Sequence, residues 1–63
     1  MKRRDLLWLL RSNGCCFVRE QGDHSIRENP ELLRRSTVPR HREIPDYTAL
    51  RICKQLDISA PTD

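Results

Sequence analysis

The sequence predicts a small α+β domain in the order α-β-β-β-α, with both helices packed on one face of a three-stranded antiparallel sheet. Three observations predict it: leucines at helical spacing near the start, turn signals separating short β-tolerant runs in the middle, and a second amphipathic segment near the end. A chain of 63 residues supports one small core and no second domain, so residues 1–58 are expected to form one unit.

Leu6, Leu7 and Leu10 mark the buried stripe of a first helix running from about Lys2 to Asn13, and Gly14 can close it in a left-handed conformation. Cys15 to Glu20 reads as a strand. Gln21-Gly22-Asp23 is turn chemistry, and His24 to Glu28 returns as the second arm of a hairpin. After the Asn29-Pro30-Glu31 turn, Leu33 to Val38 forms a third strand that must end at Pro39, where the ladder donor is lost. A polar, basic loop follows from Arg40 to Pro45. Asp46 is then placed to cap a second helix whose buried face is Ala49, Ile52, Cys53 and Leu56, at i, i+3, i+4 and i+7. Leu6, Leu10, Ile52 and Leu56 make the expected core, and Ser59 to Asp63 is expected to be a flexible tail.

Hydrophobic residues make up 37% of the chain and charged residues 33%. With a mean hydropathy of −0.74, that composition fits a marginal soluble domain. Twelve Lys and Arg against nine Asp and Glu leave a formal charge of +3, a mild lean toward an anionic partner. Met1-Lys2-Arg3-Arg4 ahead of Leu6-Leu7-Trp8-Leu9-Leu10 imitates a signal peptide. The apolar run is too short, however, and stops at Arg11. No segment approaches membrane-spanning length. The three cysteines, two of them adjacent, do not form a secreted disulfide framework, so a reducing cytoplasm is expected.

Chemistry concentrates in two places. His24 follows Gly22 on the hairpin, where a phosphate can approach the backbone, and imidazole titrates near neutrality; taken alone, it reads more readily as a solvated turn histidine. Arg40-His41-Arg42 could hold phosphate through two guanidinium groups and bring a second imidazole, while Arg34-Arg35 and Lys2-Arg3-Arg4 could extend the track by charge. Trp8 sits one place off the leucine stripe, so it either marks an interface or laps over the core edge. A zinc site from Cys15, Cys16, His24 and His41 is disfavoured, because adjacent cysteines cannot easily fill two tetrahedral vertices; buried strand cysteines are the preferred reading.

Five pieces in register, Met1-Lys2-Arg3-Arg4-Asp5-Leu6-Leu7, Asn13-Gly14, Gly22-Asp23-His24, Thr37-Val38-Pro39-Arg40-His41 and Lys54-Gln55, resemble the pattern of HicA toxins across nearly the whole chain. The resemblance implies a fold like that of double-stranded RNA-binding domains and a cytoplasmic messenger-RNA endonuclease that needs neither metal nor other cofactor. It makes His24 the catalytic residue and implies a HicB-like antitoxin; the residue chemistry then puts the expected RNA contacts at Gly22, Arg34, Arg35, Arg40, His41 and Arg42, and an antitoxin covering that site is expected to contact Trp8 and His24. Departures from the pattern are specific. Asp23 stands where the motif has Ser, Ser25 and Arg27 replace a histidine and an aromatic, and Tyr47 and Asp57 replace glycines. Asp23 beside His24 should favour the protonated imidazole and repel phosphate.

A non-catalytic RNA- or partner-binding module on the same fold is the competing expectation. A helix-turn-helix DNA binder is disfavoured, because strands rather than a short turn separate the two helices.

Overall fold

The structure, a computed structural model, describes residues 1–59. Its elements are α1 (Arg3–Ser12), β1 (Cys16–Gln21), β2 (His24–Asn29), β3 (Arg34–Pro39) and α2 (Asp46–Gln55). The three strands form one antiparallel sheet in the order β1-β2-β3, which is the predicted α-β-β-β-α arrangement. The expected flexible tail lies outside the described residues except for Ser59.

Strand alternation divides the sheet into two faces. Ser25, Arg27 and Asn29 of β2 and Arg34, Ser36 and Val38 of β3 point toward the helices. The bonds linking the layers run from these residues: Arg3 Nη2 to Ser25 Oγ (3.0 Å), Asn29 Nδ2 to the Leu56 carbonyl (2.8 Å), Arg34 Nε to the Gln55 carbonyl (2.9 Å) and Ser36 Oγ to Gln55 Oε1. His24, Ile26 and Glu28 therefore face away from the helices, opposite Pro39, Thr37 and Arg35 of β3. Ile26 is buried yet lies outside the core cluster, as a residue on the far face should. The core joins Leu6 and Leu10 of α1 to Ile52, Cys53 and Leu56 at α2, through Val38 of β3 and Ile44 of the loop. All four expected core residues are in it.

Both helices end in the same hydrogen-bonded device. At α1 the Gly14 N–H donates to the Arg11 carbonyl (3.0 Å) and the Cys15 N–H to the Leu10 carbonyl (2.9 Å), with Gly14 at φ +85°. At α2 the Asp57 N–H donates to Lys54 (3.1 Å) and the Ile58 N–H to Cys53 (3.0 Å), with Asp57 at φ +56°. These are two Schellman motifs, one on glycine and one on a residue whose Cβ strains the left-handed conformation. Opposite effects are expected from exchanging the residue types. Asp57→Gly should gain about 1 kcal/mol and raise Tm by roughly 4–8 °C. Gly14→Ala should lose about 1–2 kcal/mol from backbone strain, since an added Cβ there would meet nothing within 4 Å. Thermal unfolding of both variants checks the pair.

Two local expectations are corrected. Asp46 does not cap α2: the N-cap is Pro45 without a side-chain cap bond, and the Asp46 carboxylate instead accepts a hydrogen bond from the Met1 amino group (3.3 Å). Pro45 already fixes an extended backbone at the helix entrance, which leaves Asp46 as the first helical residue. Of the adjacent cysteines only Cys15 is buried; Cys16 begins β1 and is exposed, because neighbouring strand positions point to opposite sides. Burial pushes the Cys15 and Cys53 thiols above their ordinary pKa, and for Cys15 the nearby Cys16 and Cys53 add to the effect. Both buried thiols therefore stay protonated and unreactive.

Candidate functional site

The β1–β2 hairpin closes on a two-residue loop, Gly22-Asp23, with Gln21 paired to His24. Gly22 sits at φ +59° while Asp23 does not enter the positive-φ region, the sign pattern of a type II′ turn. This loop fixes what surrounds His24. On its other side His24 pairs with Pro39, and the next N–H along, that of Arg40, donates to the Asp23 carbonyl at 3.2 Å. The hairpin end and the start of the basic loop are thus joined by backbone, with an exposed imidazole between them.

The basic loop is also fastened to the start of α1. Arg3 N–H donates to the Arg42 carbonyl (2.8 Å), Ile44 N–H donates to the Met1 carbonyl (2.8 Å), and Lys2 and Glu43 form an antiparallel bridge. Between the two segments lies a groove of about 610 Å³. Its walls are Lys2, Arg3 and Arg4 on one side and Arg40 and Arg42 on the other, with Leu7 and Glu43 completing the lining.

A polar network ties this corner to the sheet. The Arg3 guanidinium donates through Nε to the Pro39 carbonyl (2.8 Å) and through Nη2 to Ser25 Oγ, while the fully buried Ser25 hydroxyl meets the Glu20 carboxylate at 3.0 and 3.1 Å. Glu20 in turn lies 3.7 Å from Arg40 Nε. Ser25 is therefore a small buried hub linking α1, β1 and the basic loop. Glu20 was not singled out from the sequence, and Arg3 was read there only as part of a basic track, not as the partner of Ser25 and Pro39. The available signal was the loop length, since a two-residue loop at Gly22-Asp23 necessarily sets Glu20 opposite Ser25.

Two residues away on the same face of β2, the Arg27 guanidinium carbon lies 5.2 Å from the Phe17 ring centroid. Its Nε is buried without a hydrogen-bond partner. Burial first, and then the Arg3 charge, pull the Arg27 pKa below its ordinary value. Arg27 is thus a cation stacked on an aromatic side chain of the neighbouring strand β1.

The other candidates are not gathered here. Arg34 donates to the Gln55 carbonyl and Arg35 bonds Glu28 at 3.1 Å. Arg35 shares the open face with His24, but it is four residues along β3 from His24's partner Pro39, roughly 13 Å. Gly22, Arg40, His41 and Arg42 do share the His24 end. Trp8 is 70% exposed and does not pack on the core, so it does not lap over the core edge. It stands one helical turn beyond Arg4 on α1 and is not part of the groove lining. Among the described residues there is no cluster of three or more His, Cys, Asp or Glu able to hold a metal ion. No helix among them is long and apolar enough to cross a membrane.

A family model described as the HicA toxin of bacterial toxin-antitoxin matches residues 3–58. No curated protein and no solved structure matches the chain.

Proposed function

Because this chain belongs to the HicA toxins of bacterial toxin–antitoxin systems, we propose that it is a metal-independent endoribonuclease acting on messenger RNA, with His24 as general base. The observation that carries this reading is the position of His24: exposed, on the open sheet face, and one residue from the backbone junction with Arg40. Neutral imidazole takes the proton of a ribose 2′-hydroxyl, the 2′-oxygen attacks phosphorus, and the 5′-oxygen leaves with a proton supplied by an acid. His41, in the Arg40-His41-Arg42 loop, is the candidate acid. Arg40 and Arg42 steady the charge that builds on the non-bridging oxygens, and Gly22 allows close approach of the RNA backbone.

Arg34 and Arg35 take a lesser part in this reading than their charges suggest, since each already has a partner at the far end of the sheet. A HicB-like antitoxin is the proposed inhibitor. It would cover His24 and the Arg40–Arg42 loop, with Trp8 anchoring the rim, so that antitoxin and RNA compete for one surface.

The experiment is incubation of the purified protein with RNA in EDTA, with binding followed in parallel. Cleavage in EDTA is expected. Binding without cleavage would instead support the non-catalytic module on this fold.

A further inference from the structure

We propose that the groove between the first turn of α1 and the 40–43 loop binds the phosphodiester backbone of single-stranded RNA next to the cleavage point, with Lys2 and Arg4 forming the wall opposite Arg40 and Arg42. This deepens the reading above and rests on it for the identity of the polyanion.

The charge at the groove is unfavourable as the chain stands. Lys2, Arg3 and Arg4 crowd the N-terminal end of α1, where the helix dipole is already positive, and the N-cap Lys2 makes no side-chain cap hydrogen bond. The backbone bonds from Arg3 to Arg42 and from Ile44 to Met1 then hold two further arginines against the same end. Five cationic side chains line the groove against one carboxylate, Glu43. An anion lying between the walls relieves that repulsion, and the cost of gathering the cations is met before the ligand arrives.

The lining also selects the class of anion. Among the described residues it contains no aromatic side chain on which a base could stack, and Leu7 is the one apolar residue. Such a surface holds phosphates and leaves bases unread. At about 610 Å³ the groove is too large for a single phosphate and suits a short run of sugar-phosphate backbone. The same strand reaches His24 over Arg40, whose N–H is bonded to the Asp23 carbonyl. Arg3 is spent on Pro39 and Ser25, which leaves Lys2 and Arg4 as the α1 cations available to RNA. Arg4 has only a 4.0 Å approach to its neighbour Asp5.

The test uses 2′-O-methyl oligonucleotides, which lack the attacking hydroxyl and stay intact, one uridine-rich and one adenine-rich. Their affinity is followed by fluorescence anisotropy across a salt series. For Lys2→Ala/Arg4→Ala the slope of log affinity against log salt should shrink by about 1.4, from about 0.7 per lost single-strand phosphate contact. The weakening should be the same factor on both oligonucleotides. Lys2→Arg/Arg4→Lys should keep the wild-type slope, and circular dichroism of both doubles checks that they fold. An unchanged slope in the alanine double overturns the proposal. So does a loss confined to one oligonucleotide, and so does loss of antitoxin binding with RNA binding intact, which would assign the groove to a protein partner. His24→Ala is measured alongside: if it still cleaves RNA while the groove variants behave as expected, the catalytic reading fails and the groove assignment stands.

Discussion

His24→Ala is expected to lower RNA cleavage by roughly 10²–10⁴-fold, the usual contribution of a positioned general base, and to abolish growth arrest. The fold should survive. His24 is exposed on the sheet face away from the helices, and its pairing with Gln21 and Pro39 is made by backbone that alanine also supplies. Its circular dichroism and Tm should therefore match the parent. A variant that unfolds would make His24 a structural residue and remove the catalytic explanation of the activity loss.

Leu10→Ala is expected to do the reverse, removing activity by removing the structure. Leu10 is 1% exposed, lies in the core with Leu6, Ile52 and Leu56, and its carbonyl accepts the Cys15 N–H that closes α1. Truncating such a leucine costs about 2–5 kcal/mol. A 63-residue chain has only about 3–9 kcal/mol of total stability at typical values per residue. Most of the margin is lost, so the variant should be largely unfolded at 37 °C. A cooperative transition within a few degrees of the parent would mean that the core is shared differently from the packing described.

These two side chains show what the sequence could and could not reveal. Leu10, Ile52 and Leu56 were legible because helical periodicity is local, and Gly14 marked the end of α1 for the same reason. The polar helix-facing side of β2 was not. Ser25 and Asn29 are acceptable there because Arg3 and the Leu56 carbonyl, 22 and 27 residues distant in sequence, complete their hydrogen bonds. Periodicity carries no trace of partners so remote.

The same limit governs the site. His24 and Arg40-His41-Arg42 were visible as residue types, and the β2–β3 register, which pairs His24 with Pro39, explains how they come together. Arg34-Arg35 looked as favourable by charge as Arg40 and Arg42, and only the strand register shows that they lie at the other end of the sheet. The wall contributed by α1 depends on the bond from Arg3 to Arg42 and the bridge from Lys2 to Glu43, each between segments about forty residues apart.

The most direct measurement is the chemistry of the ends left on RNA cut in EDTA. A base acting on the 2′-hydroxyl yields a 2′,3′-cyclic phosphate on one fragment and a 5′-hydroxyl on the other, both lost with His24→Ala. Fragments ending in 3′-hydroxyl and 5′-phosphate, or cleavage unchanged in the variant, would contradict the assignment of His24 as the base.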